Sequence, residues 1–415
     1  MTETKFNKGS KVSFDDAWRF IKKVGIAAHK YGSASARLES FLVDLSKSFG
    51  YRGVFRSNPS EIVFALWETP ESTQRVEVIA TSAPDLDLDK LALLGDLLNE
   101  YSSETMSLKE ADERIDAIEQ VKPPWGKFAT MLGYVFVGVG LAALLGAGWN
   151  DLLFATLFSM LVYGIVLISA QLGSAAVTWM PLTSAFVVGF LATALKAFIP
   201  ELNIVLIILS AVAVILPGYT ISLGAGELVA QRVVSGTANL MNGLICLFKQ
   251  IAGAWLGIVV AGSIFTLETS GSATPVGQIW SMLLFPLLLV GLCLVFQVSR
   301  RDMIWAVLVS AIAYLGVLGG SSIMDSNLGN LLGTITAVVI ANLWARKTGR
   351  PTSIVLIPAI VLLVSGSIGF RGLASMAQGE LALGLQQFFQ MFVVAMTILA
   401  GIMIGYTIIQ PEESL

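Results

Sequence analysis

The sequence is poor in charge, in histidine and in cysteine. Asp, Glu, Lys and Arg supply 13% of its 415 residues, while 55% are hydrophobic and mean hydropathy is +0.76. Soluble globular chains carry roughly 25% charged residues, so this composition excludes an ordinary soluble protein. The single histidine, His29, has no second imidazole with which to build a metal site, and no carboxylate is placed by sequence to orient it as a base. Cys246 and Cys293 both lie in apolar runs, which argues against a disulfide framework or a thiolate zinc site. A net charge of −3 and the lack of a dense basic run give no reason to expect nucleic acid or an anionic-lipid site. The opening MTETKFNKGSKV lacks the apolar core of a secretory signal. No cofactor or metal is implied.

What charge there is lies at one end. Residues 1–127 hold 17 Lys/Arg and 20 Asp/Glu, more than half of each. Within them, helical spacing of Phe14, Ala17, Ile21, Val24 and Ala28 predicts an amphipathic helix closed by Gly32, and Ser33 is placed to cap a second helix through Phe49. Strand-like runs follow at Tyr51–Arg56, Glu61–Trp67 and Arg75–Ala80. Two more helices are expected near Leu88–Tyr101 and Leu108–Val121, with Ser107 and Glu110 as a capping box. This order describes an α+β domain over residues 1–127.

Residues 128–415 read as membrane. A helix needs about 20 apolar residues to cross the hydrocarbon. Qualifying runs, give or take a few residues, are 128–147, 151–171, 179–199, 202–217, 238–263, 279–298, 303–320, 328–345, 352–366 and 385–409. Ten spans divide as five in 128–263 and five in 264–415. From Ile215 to Gly257 an apolar run stops at Pro217-Gly218, a glycine-spaced stretch follows, and a second apolar run carries Lys249 and Gln250. The plan recurs 148 residues later: Gly218, Gly224, Gly236, Gly253 and Gly257 fall on Gly366, Gly372, Gly384, Gly401 and Gly405. Five such coincidences stand where chance gives roughly one, so the chain contains a repeat. An odd number of spans per repeat makes its second copy enter from the opposite face, an inverted repeat. With residues 1–127 inside, inner loops hold eight Lys/Arg and outer loops or span ends only Lys196 and Arg371, which predicts both termini in the cytoplasm.

Particular motifs resemble the threonine/serine exporter (ThrE) family, which includes split bacterial and fungal vacuolar members. They are His29-Lys30-Tyr31-Gly32-Ser33 with Arg37-Leu38-Glu39, then Leu216-Pro217-Gly218, Gly226-Glu227-Leu228 and Val234-Ser235-Gly236-Thr237-Ala238. In the second half Ala345-Arg346-Lys347, Pro358, Gly366 and Arg371-Gly372 extend the likeness to nearly the whole chain. Asn239 stands where the family usually has arginine, and Val364-Ser365-Gly366 lacks the proline that many members carry. The resemblance implies ten spans, a cytoplasmic head and proton-driven export of small hydroxy amino acids from a bacterial inner membrane. Split relatives keep dicarboxylates as an alternative substrate. A passive channel, or a hydrolase whose chemistry lies in the head, is the alternative of another class. Expected partners are the amino acid, protons and the bilayer, with a homo-oligomer open.

Few polar residues are left to carry transport. Pro217-Gly218 and Ser365-Gly366 would break helices at depth and expose backbone groups to a substrate. Lys249 is expected well inside its span, either meeting a substrate carboxylate or neutralising Glu227 or a helix carbonyl. Glu227 is the candidate proton carrier or ammonium acceptor, with pairing to Arg232 as the plainer reading. Asn239, Asn242, Gln250, Gln386, Gln387 and Gln390 are expected to line the path or join helices. In the head, His29, Gly32, Arg37 and Glu39 form the motif.

Overall fold

The computed structural model describes residues 12–81, 86–103, 105–266, 274–323, 325–363, 366–377 and 380–410. Ser365 lies outside them. The head opens with α1 (Phe14–Lys30), capped by Ser13, which accepts from the Asp16 amide. Gly32 then turns the chain at φ 95°, a left-handed value that glycine tolerates. The Ser33 amide closes α1 by bonding to the Ala28 carbonyl. Ser33 does not cap the next helix: α2 (Ser35–Ser48) has Ala34 at its N-cap and no side-chain cap. Strands β1 (Arg52–Asn58), β2 (Glu61–Trp67) and β3 (Arg75–Ala80) form an antiparallel sheet in that order. Alternation sends Ile62, Phe64 and Leu66 of β2 into the core, with Phe64 opposite Phe55 of β1. Helices α3 (Leu88–Ser102) and α4 (Leu108–Gln120) follow, and the Ser107–Glu110 capping box forms as its spacing predicts.

Among the described residues, twelve helices and half-helices make up the rest. Span-length helices are α5 (Lys127–Leu144), α6 (Trp149–Leu172), α7 (Ser174–Lys196), α10 (Val233–Ile264), α11 (Gln278–Val295), α12 (Met303–Ile323), α13 (Ser326–Thr348) and α16 (Leu381–Ile408). Between α7 and α10 the chain runs through α8 (Ile204–Ala211), a 3-10 turn and α9 (Gly218–Val229), bent by 61°. Between α13 and α16 it runs through α14 (Ser353–Leu363) and α15 (Gly366–Ala377). Among the described residues nine helices are long and apolar enough to cross a bilayer, or ten with the bent pair counted as one span. The protein is a polytopic, mostly helical membrane protein.

Glycines let these helices touch backbone to backbone. A methyl group on Gly253 or Gly257 of α10 would meet the Leu182 or Phe186 carbonyl of α7 at 2.2 and 2.3 Å. Gly401 and Gly405, 148 positions on, lie on Thr334 and Val338 of α13, where a methyl group would meet the side-chain Cβ atoms at 2.6 and 2.7 Å. In both pairs residue numbers rise together, so α7 runs parallel to α10 and α13 to α16. Helices α5 and α11 instead pack antiparallel: Gly140 lies on Leu288, and Gly291 lies on Val137. Those contacts are reciprocal, since positions 140 and 137 map onto 291 and 288 at one offset of 151.

The head is docked rather than tethered. Its α3 packs Gly95 against Pro351, and the Asn99 amide bonds to the Gly349 carbonyl. The Trp125 indole N–H donates to the Val298 carbonyl at 2.7 Å. Arg350, 8% exposed, pairs with Asp96 of α3 at 2.6 Å and with Asp302 at the start of α12 at 2.5 Å. Asp302 is thus one side of a buried ion-pair network joining head and body.

Candidate substrate path

Pro217 has no N–H to continue a helix, and its ring clashes with the preceding turn. The chain accordingly unwinds after Ala211 and restarts at Gly218. Gly366 restarts the second copy, and the two glycines face each other: a methyl on Gly366 would come within 3.1 Å of the Gly218 Cα. The first N–H groups of a helix have no acceptor within it. Both restarts therefore present backbone donors to one place, a cavity of about 380 Å3 lined by residues 213–220, Asn242, Cys246, Gly366 and Ser367. Gln250, fully buried, donates to the Ile215 carbonyl at 2.7 Å, a group that the break deprives of its helical partner.

A second cavity, about 530 Å3, lies between head and body. Gly32 and Arg37 reach it from the head, Glu227 from α9, and Tyr406 from α16. Glu227 is 4% exposed. Its Oε2 accepts from the Asn239 amide at 2.8 Å, while its Oε1 has no partner. Arg232 does not pair with Glu227; it bonds instead to Glu39 of the head at 2.6 Å. The same Glu39 takes Arg56 at 3.2 Å and the Ser57 amide at 2.9 Å. His29 Nδ1 lies 3.2 Å from the Ser57 hydroxyl, inside the head core. Arg37 donates to the Tyr406 hydroxyl at 3.2 Å. Of the head motif, Arg37 and Glu39 thus bond to the body, Gly32 and Arg37 line the second cavity, and His29 stays in the head core. Tyr219, two residues past Pro217, belongs to the walls of both cavities and separates them.

Other expected residues fall elsewhere. Lys249 is half-buried, donates to the Thr178 carbonyl at 3.0 Å and sits 5.9 Å above the Trp179 ring, in neither cavity. Of its foreseen partners it has the helix carbonyl and not Glu227. Gln390 donates to Asn327 at 2.9 Å, joining α16 to α13. Gln386 is exposed on the outer side of α16. Tyr219, Tyr406 and Arg350 carry no motif that would single them out in sequence.

Comparison with known proteins agrees with this architecture. A family model for threonine/serine exporters, ThrE, matches residues 19–261, and a second ThrE model matches residues 281–408. Curated relatives include an uncharacterised protein of Schizosaccharomyces pombe, 23% identical over 85% of this chain and 48% of its own length. The pheromone-regulated membrane protein 10 of Kluyveromyces lactis is 25% identical over 89% of this chain and 38% of its own. Its Candida glabrata namesake is 24% identical over 89% and 47%. The chain therefore spans less than half the length of these relatives. They are fungal and lend no support to a bacterial inner membrane. No solved structure matches. With its first model covering more than half of the chain and the second most of the remainder, the protein belongs to the ThrE family of threonine/serine exporters, an integral-membrane transporter family.

Proposed function

We propose that this protein exports small amino acids such as threonine and serine in exchange for protons, along a path through both cavities. The carrying observation is the buried Glu227 carboxylate in the wall of the second cavity, with one oxygen held by Asn239 and the other without a hydrogen-bond partner. A carboxylate in that setting holds either a proton or a substrate ammonium, and a site that takes only one at a time couples the two flows. The path passes Tyr219 into the cavity at Gly218 and Gly366, where paired helix starts offer donors to a carboxylate. Residues 1–127 form a cytoplasmic unit, and residues 128–263 and 264–415 are two inverted five-span repeats. The reciprocal α5–α11 contacts and the Gly218–Gly366 approach support that symmetry, and the loop charges support the orientation.

The test is flux in proteoliposomes. Glu227→Gln should retain threonine exchange and lose accumulation driven by an imposed pH difference. A Glu227→Gln protein that still concentrates threonine removes Glu227 from coupling. Succinate in the same assay separates amino-acid from dicarboxylate export, and proton independence of the unaltered protein would indicate a channel. Labelling of Ser326→Cys from outside, with none at a cysteine in the head, tests the orientation.

A further inference from the structure

The charges around the cavity beneath the head do not balance locally. Four ionised side chains line it: Arg37, Asp44, Glu227 and Arg232. Arg232 is paired with Glu39, which it shares with Arg56, and Asp44 is paired with Lys47 at 2.8 Å. Among the described residues, Arg37 and Glu227 have no ion-pair partner. Arg37 uses Nη2 on the neutral Tyr406 hydroxyl and keeps Nη1 and Nε free, donors that suit a carboxylate. Glu227 keeps Oε1 free while Asn239 fixes the other oxygen. One unmatched cation and one unmatched anion thus face one space from different domains.

More polar atoms point the same way. The hydroxyls of Ser33, Ser222 and Ser353, all in this wall, are buried without a hydrogen-bond partner. With Glu227 Oε1 these make four such groups in residues of one wall, and a ligand seated there would supply partners to those it reaches. Most of the remaining wall is aliphatic, including Leu356, Ile360 and Ile398. Such a wall lowers the local dielectric and so strengthens both charge contacts. The volume, about 530 Å3, falls within the range of small-molecule sites.

We propose that this cavity is a binding site for a zwitterionic α-amino acid, Arg37 of the head receiving its carboxylate and Glu227 of α9 its ammonium. The head is then part of the substrate site rather than an appendage. A dicarboxylate is rejected because its second anion would meet Glu227. An amino-acid amide or a deaminated acid satisfies only one of the two charges. The inference builds on the exporter reading, but binding is measurable without flux.

The experiment is calorimetric titration of the full chain in lipid nanodiscs with threonine, threoninamide, 3-hydroxybutyrate and succinate. A charge-assisted hydrogen bond contributes about 1.5–3 kcal/mol, so each analogue lacking one charge should bind roughly 10- to 100-fold more weakly than threonine. Arg37→Gln should lower threonine to the level of threoninamide and leave threoninamide unchanged. Glu227→Gln should do the same with respect to 3-hydroxybutyrate. Tyr406→Phe, which removes only the hydroxyl beneath Arg37, should keep the preference for threonine. Equal weakening of threonine and threoninamide by Arg37→Gln would mean that Arg37 only docks the head, and overturns the proposal. Succinate binding as tightly as threonine, or no threonine binding to the unaltered protein, overturns it too. Binding with the expected pattern but no transport would leave this site standing and refute the exporter reading.

Discussion

Arg350 offers a severe test of how the head is held. Its guanidinium forks onto Asp96 through Nε and Nη2, at 3.1 and 2.6 Å, and reaches Asp302 through Nη1 at 2.5 Å. The Asp302 side chain is 4% exposed, and among the described residues its only other side-chain partner is the Ser299 hydroxyl. Arg350→Met keeps the aliphatic length and deletes the charge. That strands the Asp302 carboxylate away from water, and breaking a buried pair in this way costs about 3–5 kcal/mol. Against a typical folding stability of about 5–15 kcal/mol, such a loss is large. Because Asp96 belongs to the head and Asp302 to the body, the loss should appear as undocking. Limited proteolysis at residues 121–126, together with thermal unfolding of the purified protein, reads it out. Arg350→Met with Asp302→Asn should recover much of the loss, since the amide needs no counter-charge and can still bond to Ser299. A single substitution costing less than about 1 kcal/mol, or a double variant no better than the single, would refute the assignment of this network as the main latch.

Two other expectations follow from the same contacts. Burial pushes the Asp89 carboxyl up to about 6, with the Asp87 and Asp302 charges adding to it and Arg350 and Lys90 opposing. A carboxyl raised in the folded state favours folding below its unfolded value near 3.8 and loses that contribution as pH rises toward 6. Discounted for its partial exposure, Asp89→Asn should therefore stabilise the protein by about 1 kcal/mol at pH 7 and flatten the pH dependence between about 4 and 6. Melting curves that keep the same pH dependence in the variant would contradict this. At the α7–α10 crossing, Gly257→Ala meets backbone at 2.3 Å and should cost about 1–3 kcal/mol. Gly226→Ala meets only the flexible Leu399 Cδ1 at 3.3 Å and should change thermal stability little. Equal effects of the two would mean that α7 and α10 do not approach as described.

Much of this protein is written in local chemistry. Pro217 and Gly218 stop the helix before them because a missing N–H and a clashing ring act on the adjacent turn. Ser107 and Glu110 cap α4 through their own backbone neighbours. The glycines at 253, 257, 401 and 405 mark close helix crossings because only a missing side chain permits them. The apolar runs needed nothing but length and composition to be recognised as spans. Ser33 shows the limit even of local signals: after the turn at Gly32 the next helix starts one residue later, with Ala34 and not Ser33 at its N-cap.

Ion partners belong to the tertiary structure. Arg232 lies five residues from Glu227, yet it pairs with Glu39, 193 positions away. Arg37 meets Tyr406 across 369 positions, and Arg350 meets Asp96 across 254. A long charged side chain takes whichever opposite group the packed helices bring within about 4 Å. That choice depends on how the head sits on α9, α12 and α16, and no spacing along the chain encodes it. Lys249 follows the same rule: its place in α10 was legible from the sequence, but the crossing with α7 decided that it meets the Thr178 carbonyl rather than either cavity.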